Sequence, residues 1–159
     1  MHHTIWYAAK IKSAASGGVL DVPGGAQNVG TMIQQFHDGG RLCFNQYWYF
    51  MDVDGYRIQT LSQDQAGSMY SLCNDLVMVP AAPPGLPPGQ PSKVTLVRIQ
   101  DARDGWVIHM DAANVAIRSA NSLRTIPLVL DLPNRDPHDN VLIQVFRDNG
   151  GINQRWNIA

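Results

Sequence analysis

The chain has 159 residues, 14 of them Gly and 10 Pro, and a formal net charge of −1. That balance supplies no field to hold nucleic acid or an anionic membrane. The two cysteines make no disulfide framework, and no apolar run approaches the ~20 residues of a membrane-spanning helix, so no membrane insertion is expected.

All thirteen acidic residues are Asp, none is Glu, and only three Lys stand against nine Arg. Glu and Lys favour helices, whereas Asp, Asn, Gly and Pro favour turns. The expected class is therefore all-β, built from many short strands. The chain opens MHHTIWYAAKIKSAASGG, which lacks the apolar centre of a secretory signal, and a cytoplasmic location follows as the expectation. Release by a non-classical route stays open.

In chain order, AKIKSAAS reads as a first strand, followed by GVLDVPGG, TMIQQFHDGG and FNQYW. After Trp48 come an apolar strand, Met-Asp, a turn and the strand containing Ile58. A weaker stretch follows: MYSLCND stands where L-D-V is expected, VPAAPPGLPPGQPSK (79–93) is inserted, and RDGW closes the unit at Trp106. The pattern after Trp48 recurs after Trp106, with the strand containing Ile117. Then LVLDLPNR, VLIQVFRDNGG and INQRW repeat the first series closely. Asp21 precedes Gln34 by 13 positions and Phe36 by 15, and Asp131 precedes Gln144 and Phe146 by the same spacings.

The chain thus divides into units of about 1–54, 55–113 and 114–159 within one domain, each of about four strands and each ended by a tryptophan. Such units bury their apolar faces only by packing around a pseudo-threefold axis, as a barrel closed by a hairpin cap. The last strand then packs against the first unit, and Trp48, Trp106 and Trp156 belong to the core.

The ordered L-D-V, I-Q-x-F and N-Q-x-W series resembles the ricin B-chain-type lectins, whose signature is Q-x-W. The likeness covers essentially the whole chain and is strongest to the small, disulfide-free fungal lectins. It implies a β-trefoil with a sugar site in each of units one and three, the middle unit being degenerate. Asp21 and Asp131 are expected to accept hydrogen bonds from two adjacent sugar hydroxyls. Phe36 and Phe146 offer flat rings to the sugar's C–H face. Asn45 and Asn153 are expected to donate to a hydroxyl, and Gln34 and Gln144 to reach the exocyclic one. The resemblance implies that Gln46 and Gln154 hold the carboxylates, and that the Gly24 N–H donates to sugar where the third unit has Asn134. It also implies galactose- or N-acetylgalactosamine-terminated glycans as partners, and a second copy of the chain would add avidity.

Plainer readings stand beside these. A lone Asp is commonly a turn or cap residue, the phenylalanines could be core, and the Asn and Gln side chains could tie turns. His37 is expected on a surface loop at the rim of the first site, and Cys43 has no positioned His. No metal-ligand spacing, catalytic motif or cofactor signature occurs, so neither an enzyme nor a cofactor is expected. Two other functions remain: a β-trefoil protease inhibitor acting through the loop at 79–93, and a module binding xylan or another polysaccharide. A chain that starts at Met and ends on its last Trp motif favours a free-standing lectin over the module.

Overall fold

The units form strands too short to stand alone, and each is completed by its neighbours. The structure is a computed structural model that describes residues 4–26, 28–52, 56–60, 76–81, 91–123 and 126–159. The first unit supplies β1 (Thr4–Ala9), β2 (Ile11–Ser13), β3 (Val19–Asp21), β4 (Gln34–Phe36) and β5 (Trp48–Asp52). The second supplies β6 (Tyr56–Thr60), β7 (Leu76–Pro80), β8 (Ser92–Arg98) and β9 (Trp106–Asp111). The third supplies β10 (Asn114–Ser119), β11 (Leu128–Asp131), β12 (Val141–Leu142), β13 (Gln144–Arg147) and β14 (Trp156–Ile158). Among the described residues every strand pairing is antiparallel and the fold is all-β.

Six strand positions close a barrel. β1 pairs β5, β5 pairs β6, β6 pairs β9, β9 pairs β10, β10 pairs β14, and β14 returns to β2. Lys10 lies between β1 and β2 and exchanges two backbone hydrogen bonds with Ala159, at 2.9 and 3.1 Å. Closure leaves no free edge around the barrel. The register repeats: Trp48 faces Thr60, Trp106 faces Ser119 and Trp156 faces Ser13. All three indoles are buried, at 0 %, 0 % and 1 % exposure.

The hairpins β3–β4, β7–β8 and β11–β13 cap the barrel. They interlock through β4 with β12, β8 with β13 and the bridge from Met32 to Thr95. Ile33, Val94 and Ile143, one from each unit, are fully buried in the single main core. This is the β-trefoil architecture.

Each buried indole donates from Nε1 to a carbonyl of its own unit's hairpin. Trp48 reaches Leu20 O at 3.2 Å, Trp106 reaches Met78 O at 2.8 Å and Trp156 reaches Leu130 O at 3.1 Å. These bonds make Leu20, Met78 and Leu130 equivalent, and the strand registers agree. Asp21 faces Gln34, Asp131 faces Gln144 and Val79 faces Thr95. The middle unit is thereby corrected: LVMVP (76–80), not MYSLCND (69–75), fills the L-D-V place, with Val79 where the others have Asp. Register follows the pairing partner, and the spacing from the preceding strand could not reveal it. Residues 69–75 lie outside the described residues, as do 82–90 of the proline-rich insert.

Deleting 153–159 removes β14, the third indole and the closing pair with β2. A truncated protein is expected to lose its cooperative thermal transition by circular dichroism. Trp156→Ala is expected to cost about 3–5 kcal/mol in denaturant titration.

Candidate functional site

The residue after each indole-bonded carbonyl is the start of a site. Asp21 and Asp131 end β3 and β11 with only 3 % and 2 % exposure, an environment that penalises a carboxylate by several kcal/mol unless donors surround it. Three amides do so in each unit. Asp21 Oδ1 accepts from Gln34 Nε2 at 2.9 Å, and its Oδ2 from Asn45 Nδ2 and Gln46 Nε2, both at 3.0 Å. Asp131 Oδ1 accepts from Gln144 Nε2 at 3.0 Å, and its Oδ2 from Asn153 Nδ2 at 3.3 Å and Gln154 Nε2 at 2.9 Å.

The short 3-10 turns Phe44–Gln46 and Ile152–Gln154 present the N-Q pairs. Backbone bonds dock them on the hairpins: Val22 N to Asn45 O at 3.0 Å, and Leu132 N to Asn153 O at 2.9 Å. The two glutamines are further braced. Gln46 Nε2 also donates to His37 O at 2.9 Å, and its Oε1 accepts from Gly39 N at 3.0 Å and Lys10 Nζ at 3.3 Å. Gln154 Nε2 donates to Arg147 O at 2.9 Å, and its Oε1 accepts from Asn149 N at 2.8 Å. Lys10 also pairs with Asp38, whose carboxyl that bond holds down at about 2.

The geometry revises several expected roles. Three of the roughly four acceptor positions of each carboxylate are already taken, leaving room on Oδ1 for one hydroxyl rather than two. Asn45 and Asn153 spend their amide hydrogens on the carboxylate and on Val22 O or Leu132 O, both at 3.1 Å, so what they offer a ligand is an acceptor carbonyl oxygen. Gln34 is buried and positions Asp21, whereas the half-buried Gln144 both holds Asp131 and lines the third-unit depression. Phe36 and Phe146 are half-exposed, with ring surface on view.

The floor of each site is a matching turn. Gly24 and Gly25 in Pro23–Gly25 have φ of 60° and 67°, and Asn134 and Arg135 in Pro133–Arg135 have φ of 57° and 53°. Asn tolerates that left-handed region, whereas Arg there costs about 1 kcal/mol. The third site is a shallow depression of about 330 Å³ lined by Asp131, Asn134, Arg135, Gln144, Phe146 and Asn153 among others.

Units one and three meet at the first site. Gln35 Nε2 donates to Asp136 O and His138 O, both at 2.8 Å. His37 Nδ1 lies 2.8 Å from Asp139 Oδ2 and its ring stacks 4.4 Å from that of Phe36. Burial pushes the Asp21 carboxyl above its ordinary value; the amides of Gln34, Gln46 and Asn45 pull it back, and the charge of Asp139 adds to the push. Sequence reasoning missed Asp139, Gln35 and Lys10. Lys10, buried between two strands, carried a signal in its rarity; the partners about a hundred residues apart carried none.

At the middle unit's equivalent place Val79, Thr95 and Val97 replace Asp, Gln and Phe. Asp104 stands where the others have Gln and accepts from Gly105 N, Asn121 N and Ser119 Oγ at 2.7, 2.9 and 2.5 Å. Among the described residues no carboxylate–amide cluster of the kind at Asp21 forms there.

No protein-family model matches the chain, and no curated protein matches it by sequence. Solved structures do. The Rhizoctonia solani agglutinin is 20% identical with a TM-score of 0.71, the match covering 95% of this chain and 92% of that one. A Macrolepiota procera ricin B-like lectin, in complex with lactose, is 21% identical with a TM-score of 0.68, over 99% and 98% of the two chains. The C-half of an earthworm R-type lectin, in complex with GalNAc, is 22% identical with a TM-score of 0.64, over 95% and 96%. The chain therefore has the β-trefoil fold of these lectins along its whole length.

Gln46→Ala leaves the buried Asp21 one donor short and is expected to cost about 1–3 kcal/mol at neutral pH. Because the folded pKa of Asp21 lies above its unfolded value, near 3.8, the folded state holds the proton more tightly. Stability from this group is therefore greatest below that unfolded value and is lost as pH rises through the folded one. The deficit of Gln46→Ala should accordingly shrink on acidification. Denaturant titrations at neutral pH and near pH ~4 compare the two, and an equal or larger acid deficit would contradict the account.

Proposed function

We propose that the protein is a carbohydrate-binding lectin that takes galactose- or N-acetylgalactosamine-type glycans at two sites, in units one and three. One observation carries the reading: a buried carboxylate held by three amides beside a half-exposed phenylalanine, built twice at equivalent places in one chain. A sugar has hydroxyls and an apolar C–H face, and each site answers both. The carboxylate Oδ1 accepts one hydroxyl, the Asn carbonyl oxygen accepts another, and the phenylalanine ring packs on the C–H face. Lactose and GalNAc in similarly folded lectins support this choice of sugar.

Three fixed amide donors hold a carboxylate still as an acceptor. A glycosidase instead needs two carboxyl groups across one bond, one of them cycling a proton. We therefore read a binding protein rather than an enzyme. The shallow sites point to a Kd of about 1 mM, near −4 kcal/mol for each, with affinity on glycan-dense surfaces coming from two-site engagement.

Calorimetric titration with lactose should give two sites per chain. Asp21→Ala and Asp131→Ala should each remove one, and either should abolish agglutination of galactose-bearing cells. Absence of galactoside binding, or unchanged binding in the double variant, would overturn the proposal. Asn45→Ala and Asn153→Ala, which leave the carboxylate and two of its three donors in place, separate loss of binding from loss of fold when their thermal transitions are measured alongside. Binding at the first site should also weaken on acidification at a pH above the ordinary aspartate range, because its carboxyl is raised.

A further inference from the structure

We propose that the third-unit site is selective for galactosides carrying a negative charge, a carboxylate or a sulfate ester, and that Arg135 and Arg147 confer this selectivity. The inference rests on the galactoside reading above and names the ligand class for one of its two sites.

The two sites share Asp, Gln, Phe and Asn; Asn134 and Asn149 stand where the first has Gly24 and Gly39, and two flanking positions differ by an arginine. Counting from the equivalent aspartates, Arg135 replaces Gly25; counting from the equivalent phenylalanines, Arg147 replaces His37. Both arginines are exposed. Arg135 lines the depression itself, on the turn that forms its floor. The Arg147 guanidinium lies 5.7 Å from the centre of the Phe146 ring. A sugar bonded to Asp131 and packed on Phe146 thus lies in a depression that Arg135 lines, with the Arg147 guanidinium against the ring it packs on.

The surrounding charges leave these two arginines in excess. Asp148, the nearest acidic residue along β13 and its loop, is already paired with Arg118 at 3.5 Å and Arg155 at 3.4 Å. Arg155 also binds Asp111 at 2.7 Å, and Asp136 is paired with His138 at 2.5 Å. Among the described residues no carboxylate lies within ion-pair distance of Arg135 or Arg147. The mouth of the third site is therefore basic, over a single buried carboxylate.

The first site has no such basic excess. His37 is paired with Asp139, brought in from the third unit, and Asp38 is matched by Lys10 and Lys12. Asp139 adds negative charge close to Asp21, and neither flanking position carries an arginine. A planar guanidinium matches a carboxylate or sulfate through paired N–H donors, whereas a neutral galactoside leaves both forks to water. Two sites with the same sugar-binding centre are thus tuned to different glycans.

The side-chain amide NMR signals of Asn45 and Asn153 report the two sites separately. Wild type, Arg135→Gly/Arg147→Gln and Arg135→Lys/Arg147→Lys are titrated with lactose, sialyllactose and sulfated lactose. At Asn153 at least one anionic ligand should bind about fivefold tighter than lactose, the scale of one or two exposed ion pairs. The arm that shows the preference identifies the anionic group. The anionic-to-neutral ratio should fall to about one in the Gly/Gln variant and in about 0.5 M sodium chloride, and should be kept only in part in the Lys/Lys variant, which retains the charge without the planar fork. No such preference is expected at Asn45. Equal affinities at Asn153, or a preference that survives in the Gly/Gln variant, would overturn the inference while leaving the galactoside reading intact. Lactose that moves neither amide in any of the proteins would overturn both.

Discussion

Three indole N–H groups tie the core of this protein to its surface. Each buried tryptophan donates to the carbonyl of the residue just before the site position, so the placing of Asp21, Val79 and Asp131 follows from barrel packing. An indole has one donor and a large apolar body, and burial demands that the donor be met. The resulting bond fixes the hairpin against the barrel to within hydrogen-bond tolerance. Binding residues can then vary at the next position without disturbing the frame. The middle unit shows this, with the same bond and a valine where the others carry a carboxylate.

The second layer of the design is a carboxylate held by amide donors in a place that disfavours charge. Its three amide donors come from two directions: Gln34 or Gln144 across the hairpin, and the N-Q pair from the turn before the tryptophan. The turn is therefore part of the site and part of the core at once. That dual use explains why Asn, Gln and Trp stand together within four residues: a donor to the carboxylate, a brace and an anchor.

Much of this was legible in the sequence because the repeat is spelled out in residue types. Equal spacings from Asp to Gln to Phe marked both candidate sites, and the Trp-ended units marked the barrel. Three things were not legible. The middle unit's register was hidden because its strand carries no Asp to mark it. The direction of each amide was hidden because an Asn or Gln can donate or accept, and only the neighbours decide; both Gln34 and Asn45 turned toward the carboxylate. The contact of His37 with Asp139 was hidden because it joins residues of different units, which no local pattern connects.

The reciprocal bonds between Lys10 and Ala159 make the barrel a ring in which the position of the chain ends is topologically arbitrary. A ring of three hairpins has no first member. A linker from Ala159 back to the start of β1, with the chain opened in an exposed turn such as that at Ala112 between β9 and β10, would keep every described strand pair and both candidate sites in place. The order of the units along the gene is in this sense a matter of where the circle was cut, and the stability of the whole belongs to the circle rather than to either end.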